Sequence, residues 1–185
     1  ALAGDAEAPP EERVFALEAI FELAPEESFA ELKEVAEAAK SSKSEPVEAA
    51  ALPLFARTNP EAAAGDLALL VGRKLSPELR KATALAWGEV AKSDRRAAIT
   101  ALEPMIADPS PEVRAAAARA FGNTGRASQT KLIKMVKTQR FDVALGAAYG
   151  LANSAKVGAS SSVAVGGIYS LWKRKGKPRR RAAEV

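Results

Sequence analysis

A repeated motif in the middle of the chain is the feature that most restricts its fold. Residues 76–80 read Ser-Pro-Glu-Leu-Arg, and residues 110–114 read Ser-Pro-Glu-Val-Arg, 34 positions later. At the same offset, Trp87-Gly88 corresponds to Phe121-Gly122. A helix-start signal, an apolar–Arg pair and an aromatic–Gly pair that recur in one register indicate a duplicated structural unit. The sequence therefore predicts a repeat protein.

Apolar residues around this motif recur with the spacing of one helical face. Five segments follow the pattern i, i+3, i+4, i+7, i+8, and each ends on an aromatic residue. The five terminal residues are Phe21, Phe55, Trp87, Phe121 and Tyr149. The fifth stripe is predicted to comprise Phe141, Ala144, Leu145, Ala148 and Tyr149. Shorter apolar stripes lie between these segments, so each repeat is predicted to be a hairpin of two helices.

The joints between the predicted helices carry helix-start residues. Ser76 and Ser110 are predicted N-caps, and the proline after each occupies the first helical position, where a missing N–H group has no cost. Pro53 and Pro104 fall inside predicted helices, where proline bends the helix.

Composition supports an all-α class and limits the chemistry. Apolar residues make up 48% of the chain but aromatic residues only 5%, and alanine supplies most of the difference, which favours closely packed helices. The chain has no cysteine and no histidine, which excludes thiolate nucleophiles, histidine bases and zinc sites of the usual ligand types. No catalytic motif is present among the other residues. We therefore predict a protein that is not an enzyme and has no metal, no cofactor and no catalytic residues.

The segment from Asp108 to Arg114, followed by Ala116-Ala117 and Phe121-Gly122, resembles the HEAT repeat, particularly its short bacterial form. The resemblance implies an α-solenoid of about five antiparallel helix pairs in a right-handed superhelical stack. It also implies that Asp108 and Arg114 pair between neighbouring repeats. Tetratricopeptide repeats share the 34-residue period, but the Asp-Pro joint and the Val-Arg pair favour HEAT.

The predicted organisation has three parts. Residues 1–9 form an N-terminal extension, residues 10–172 the helical repeat domain, and residues 173–185 a basic C-terminal tail. The chain begins at Ala1, which indicates a processed, excised or partial product. A cytoplasmic location is favoured, and the alternative is an exported protein from which a signal peptide was removed.

Charge is strongly separated along the chain. Up to Asp66 there are 5 basic and 15 acidic residues, whereas the rest of the chain has 22 basic and 8 acidic residues. Because repeats stack in sequence order, this pattern predicts one acidic end and one basic end. Such a surface can steer an anionic partner to the C-terminal half or align two stacks head to tail.

Two basic groups are candidate partner-binding sites. The first is a predicted groove on the second helices of neighbouring repeats, and it comprises Arg95, Arg96, Lys131, Lys134 and Lys137. The second is the basic tail, which comprises Lys173, Arg174, Lys175, Lys177, Arg179, Arg180 and Arg181. Seven cations in nine positions favour nucleic acid or an anionic membrane surface. The alternative is an ordinary solvated face for the groove and a solubilising segment for the tail.

The aromatic residues before the tail have two alternative roles, one on the surface and one in the core. Tyr169 and Trp172, with Ile168 and Leu171, could stack on bases, but we predict that they cover the apolar side of the last repeat. Gly166 and Gly167 in the same helix permit close approach of another helix. This end is the first candidate for a protein interface.

The leading hypothesis is a non-enzymatic scaffold or adaptor that binds another protein, and it includes a role as a subunit of a larger assembly. The alternative is a nucleic-acid-binding module that uses the basic half and tail. Some DNA-repair glycosylases are built from HEAT-like repeats, but their reaction needs an acid in the groove, and few acids adjoin the basic groove of this chain. Bilin lyases are also HEAT-like, but no residue pattern here indicates a pocket for a pigment.

Overall fold

The computed structural model describes residues 2–70 and 74–181, with the side chains of all of these except residue 31 and residues 175–181. Within this part of the chain every regular element is a helix, which confirms the all-α prediction. The α-helices are α1 (Pro10–Leu23), α2 (Phe29–Lys40), α3 (Glu45–Thr58), α4 (Pro60–Leu70), α5 (Pro77–Val90), α6 (Arg95–Met105), α7 (Pro111–Phe121), α8 (Gln129–Thr138), α9 (Phe141–Lys156) and α10 (Ser161–Arg181).

The chain forms two compact units, Ala1–Ala98 and Ile99–Val185. We call them the N-terminal unit and the C-terminal unit. In the N-terminal unit, α3 packs against α1, α2 and α5, and α4 also packs against α5. In the C-terminal unit, α9 packs against α7, α8 and α10.

Large side chains fill the core of the N-terminal unit. Phe55 is 2% exposed and Trp87 is 4% exposed, as the repeat pattern predicts. The other predicted members of these two stripes are buried or partly buried, and they are Val47, Ala50, Ala51 and Leu54 in α3 and Leu79, Ala82, Thr83 and Ala86 in α5. Burial of each large apolar side chain contributes on the order of 2 kcal/mol relative to exposure. Their burial stabilises the core of the N-terminal unit.

Direct contact between main chains characterises the packing of α7 against α9. A methyl group added at Gly146 would collide with the main-chain oxygen of Ala115, and one at Gly150 with that of Ala118. At Gly122 it would collide with the main chain of Gly150. Only glycine allows this approach, because it has no Cβ. The spacing of Gly146 and Gly150 therefore fixes which side of α9 faces α7.

The predicted register of the fifth stripe is wrong. Ala144 and Ala148 are buried, but Phe141 is 46% exposed, Leu145 is 39% exposed and Tyr149 is 57% exposed. The fully buried residues of α9 include Val143, Ala147 and Leu151, which lie 30 positions after Val113, Ala117 and Phe121. Leu151, not Tyr149, is the counterpart of Phe121. The glycine contacts with α7 determine this rotation and turn the aromatic residues outward.

The helix starts follow the predictions with one correction. Ser76 is the N-cap of α5, and its hydroxyl accepts a hydrogen bond from the Leu79 N–H group at 3.1 Å. Ser110 occupies the N-cap position of α7, but its side chain makes no capping hydrogen bond. The Asp108 carboxylate accepts from the Ser110 N–H group at 2.8 Å. Pro53 and Pro104 lie inside α3 and α6, as predicted.

Two arginines attach helix ends to neighbouring helices. Arg57 of α3 donates hydrogen bonds to the carbonyl oxygens of Phe21 and Ala24 at the end of α1. Arg174 of α10 donates to the carbonyl oxygens of Val136 and Gln139 at the end of α8. The last carbonyl groups of a helix have no partner within it, and they carry partial negative charge. A guanidinium group supplies both the missing hydrogen-bond donors and a positive charge beside these carbonyl oxygens.

Candidate partner-binding surfaces

The three lysines of α8 lie on the side of the helix opposite its apolar residues. Leu132, Met135 and Val136 are buried, whereas Lys131, Lys134 and Lys137 are exposed. Lys131 forms an ion pair with Glu103. Within the described part of the chain, no ion pair occupies the ammonium groups of Lys134 and Lys137. Among the described residues of the C-terminal unit, Lys134 and Lys137 are therefore exposed cations without an ion-pair partner.

The arginines of the predicted groove lie in the other unit. Arg95 and Arg96 are exposed residues of the first turn of α6 in the N-terminal unit, whereas the three lysines belong to the C-terminal unit. Asp94 precedes them, and its carboxylate accepts a hydrogen bond from the Ala97 N–H group at 2.9 Å. A common groove formed by the arginines and lysines stays a prediction.

The predicted basic tail does not start at a helix end. The main chain of α10 continues through Lys173 and Arg174 to Arg181. Arg174 is half-buried and binds the end of α8, so it contributes to internal packing. Lys173 is exposed, and its ammonium group lies 4.8 Å from the centre of the Tyr169 ring. The side chains of the other predicted residues, Lys175, Lys177, Arg179, Arg180 and Arg181, lie outside the described part.

Tyr169 and Trp172 do not cover the core, contrary to the prediction. Tyr169 is 51% exposed and Trp172 is 69% exposed, and their rings stack with the ring centres 5.5 Å apart. The inward stripe of α10 consists of Ala164, Gly167, Leu171 and Arg174. A methyl group added at Gly167 would meet the flexible end of the Leu151 side chain, so this glycine lies on the side of α10 that packs against α9. The prediction holds only for Leu171.

Sequence reasoning missed an outward apolar surface on α10. Val165, Ile168, Tyr169 and Trp172 are exposed and recur at i, i+3, i+4 and i+7, the spacing of one helical face. We call these four residues the aromatic face of α10. The signal in the sequence was the position of Gly167 between two possible apolar stripes. Only a tertiary contact shows which stripe is buried.

The arginine of the repeated motif forms hydrogen bonds with the loop that precedes its own helix. Arg114 Nη1 donates to the main-chain oxygens of Asp108 at 2.7 Å and Pro109 at 2.9 Å. Arg80, its counterpart 34 positions earlier, donates to the main-chain oxygen of Leu75 at 2.7 Å. The two arginines thus share one structural role. The pairing of Asp108 with Arg114 between neighbouring repeats stays a prediction.

Metal-binding clusters and membrane-spanning helices are both absent from the described residues. No group of three His, Cys, Asp or Glu side chains there could hold a metal ion. No described helix has the length and apolar character needed to span a membrane.

Comparison with protein families gives one match. The family model of HEAT repeats matches residues 66–152, which extend from the middle of α4 to near the end of α9. This confirms the resemblance inferred from the repeated motif and supports a HEAT-like solenoid. Neither the curated proteins nor the solved structures gave a match. Helix α10, with its aromatic face, lies outside the matched residues.

Proposed function

We propose that the chain is a non-enzymatic scaffold that binds another protein, a role supported by the match of residues 66–152 to HEAT repeats. HEAT repeats generally mediate interactions between proteins, and their stacked helices present extended surfaces. The proposed partner has an acidic surface, because the proposed contact residues are cations.

The observation that carries the proposal is the arrangement of α8. Its apolar side is buried in the C-terminal unit, which holds the helix in place, while Lys134 and Lys137 extend into solvent. The unit contains 15 basic and 5 acidic residues, so its potential attracts anionic groups over a longer range than the two lysines alone. A fixed pair of cations with few competing acids suits carboxylates on a partner.

Nucleic acid is the alternative partner, because phosphates are attracted by the same cations. Phosphate contacts release counterions, so binding to DNA or RNA weakens steeply with salt. An interface between proteins also buries apolar and hydrogen-bonding groups, and its affinity depends less on salt. Salt dependence therefore distinguishes the two partners.

The test compares the wild-type chain with the double variant Lys134→Glu/Lys137→Glu. Lys33→Glu/Lys43→Glu is the matched control, because it changes exposed lysines of the N-terminal unit and alters the net charge equally. Each tagged protein is used to purify partners from the native source after nuclease treatment. Each is also titrated with a fluorescent DNA duplex and a fluorescent RNA strand at several salt concentrations.

We expect a protein that purifies with the wild type and the control and that is lost with the Lys134→Glu/Lys137→Glu variant. Direct binding of that protein, once purified, should show the same order. Tight DNA or RNA binding that disappears in the same variant, without any protein partner, would support the alternative. Equal recovery of a protein partner by all three chains would contradict the proposed role of α8.

A further inference from the structure

We propose that the aromatic face of α10 binds helix α1 of a second copy of this chain, so that copies associate head to tail. This inference is independent of the partner proposed for α8. It depends on two exposed helical faces, one in each unit, whose charges and apolar groups are complementary.

The aromatic face of α10 is an unusual surface for a helix in water. Val165 is 65% exposed and Trp172 is 69% exposed, and both lie on the same side of the helix as the exposed Tyr169. Contiguous apolar surface of this kind marks interaction sites more often than isolated exposed residues do. Tryptophan and tyrosine are also the residues that contribute most to protein interfaces.

The exposed face of α1 combines one aromatic ring with carboxylates. Phe15 is 73% exposed, and the residues on the same side of the helix are acidic. These are Glu11, Glu12, Glu18 and Glu22. Among the described residues no ion pair neutralises them, whereas the single basic residue of α1, Arg13, is buried. Like charges on one helical face repel each other, so a cationic partner would stabilise this face.

Charge complementarity selects a second copy of α1 as the occupant. Lys173 borders the aromatic face of α10, and the C-terminal unit has 10 more basic than acidic residues. The N-terminal unit has 6 more acidic than basic residues. Docking α10 on α10 of another copy would instead bring like charges together. The favourable arrangement places Phe15 against Tyr169 and Trp172, with glutamates of α1 near Lys173.

The dimensions of the two helices are compatible with this contact. The aromatic face from Val165 to Trp172 covers about 10 Å along the helix axis, and α1 with 14 residues is about 21 Å long. Each copy has one α1 face and one α10 face, so the contact is heterologous. Such contacts extend into open chains or close into rings.

Two variants test the interface from its two sides. Phe15→Lys removes the aromatic ring and reverses the local charge on α1, and Trp172→Glu does the same on α10. Both residues are exposed, so we expect both variants to fold. Leu69→Lys and Tyr149→Glu are the matched controls, because they introduce the same charges at exposed apolar residues outside the two faces. Sedimentation velocity at increasing protein concentration measures self-association.

We expect the wild type and both controls to show a sedimentation coefficient that rises with concentration and falls at high salt. Phe15→Lys and Trp172→Glu should each stay monomeric. Their equimolar mixture should form a complex of two chains and no larger species, because it contains one intact α10 face and one intact α1 face that can meet.

Three results would overturn the inference. The first is a wild type that stays monomeric at the highest concentration at low salt. The second is self-association of Phe15→Lys, which would indicate a symmetric contact between α10 helices. The third is a mixture of the two variants that stays monomeric although the wild type associates.

Discussion

The two units of this chain stack similar helices with different contacts. In the N-terminal unit, the large side chains of Phe55 in α3 and Trp87 in α5 are nearly inaccessible to solvent, and the Phe55 ring lies 3.8 Å from the Lys40 ammonium group of α2. In the C-terminal unit, the main chain of α9 at Gly146 and Gly150 touches that of α7 and that of Gly122, the residue after α7. The comparison shows that a repeated sequence motif specifies where the helices lie in the chain. The residues that bridge each pair of helices specify how each helix is rotated.

The largest expected effect separates two aromatic residues that the repeat pattern treats as equivalent. Replacing the buried Phe121 with alanine should reduce the free energy of unfolding by about 3–5 kcal/mol, because a cavity forms. Replacing the exposed Tyr149 should cost less than about 1 kcal/mol, since it loses mainly a contact with Arg119. Urea denaturation measures both. Equal losses would contradict the exposure of Tyr149.

A smaller effect tests the main-chain contact between α7 and α9. Gly150→Ala should destabilise the protein by about 1–3 kcal/mol, because its methyl group has no room beside Ala118. Gly65→Ala in α4 is the control, since no atom lies near the added methyl group. It should stabilise the protein by about 0.5–1 kcal/mol, as alanine is the better helix former. Stabilisation by both substitutions would rule out the close contact.

The smallest effect concerns a feature that both units share. Arg57→Ala and Arg174→Ala should each lower the free energy of unfolding by about 1–2 kcal/mol, because two carbonyl groups at a helix end lose their donor. Amide hydrogen exchange should accelerate in the last turn of α1 for the first variant and of α8 for the second. Lys173→Ala, next to Arg174 but exposed, should leave exchange in α8 unchanged. Unchanged exchange in all three would exclude the arginine contacts.

The sequence was sufficient for the parts of the fold that depend on local signals. The start of α5 at Pro77 follows from its serine and proline, and the buried faces of α3, α5 and α7 follow from the spacing of their apolar residues. These signals act within one helix, so the pattern of residues reveals them.

The rotation of α9 and α10 could not be predicted in this way. Both helices are apolar on more than one side. In the sequence, an aromatic residue is a stronger indication of the buried side than a glycine is. The structure shows that Gly146, Gly150 and Gly167 face the neighbouring helices. Close contact at a glycine depends on the partner helix, which the local pattern does not contain.

The difference between local patterns and contacts between helices also explains which residues of the candidate surfaces could be predicted. The lysines of α8 were predictable because the opposite side of that helix is plainly apolar. The role of Arg174 and the exposure of Trp172 were not, because both depend on how α10 contacts α8 and α9.

Hydroxyl-radical footprinting of the monomeric protein determines whether α9 and α10 are rotated as described, because it measures the exposure of individual aromatic side chains. We expect rapid oxidation of Tyr149, Tyr169 and Trp172 and slow oxidation of Phe55, Trp87 and Phe121. Protection of Tyr149 and Trp172 equal to that of Trp87 and Phe121 would contradict the rotation of α9 and α10, and with it the aromatic face of α10.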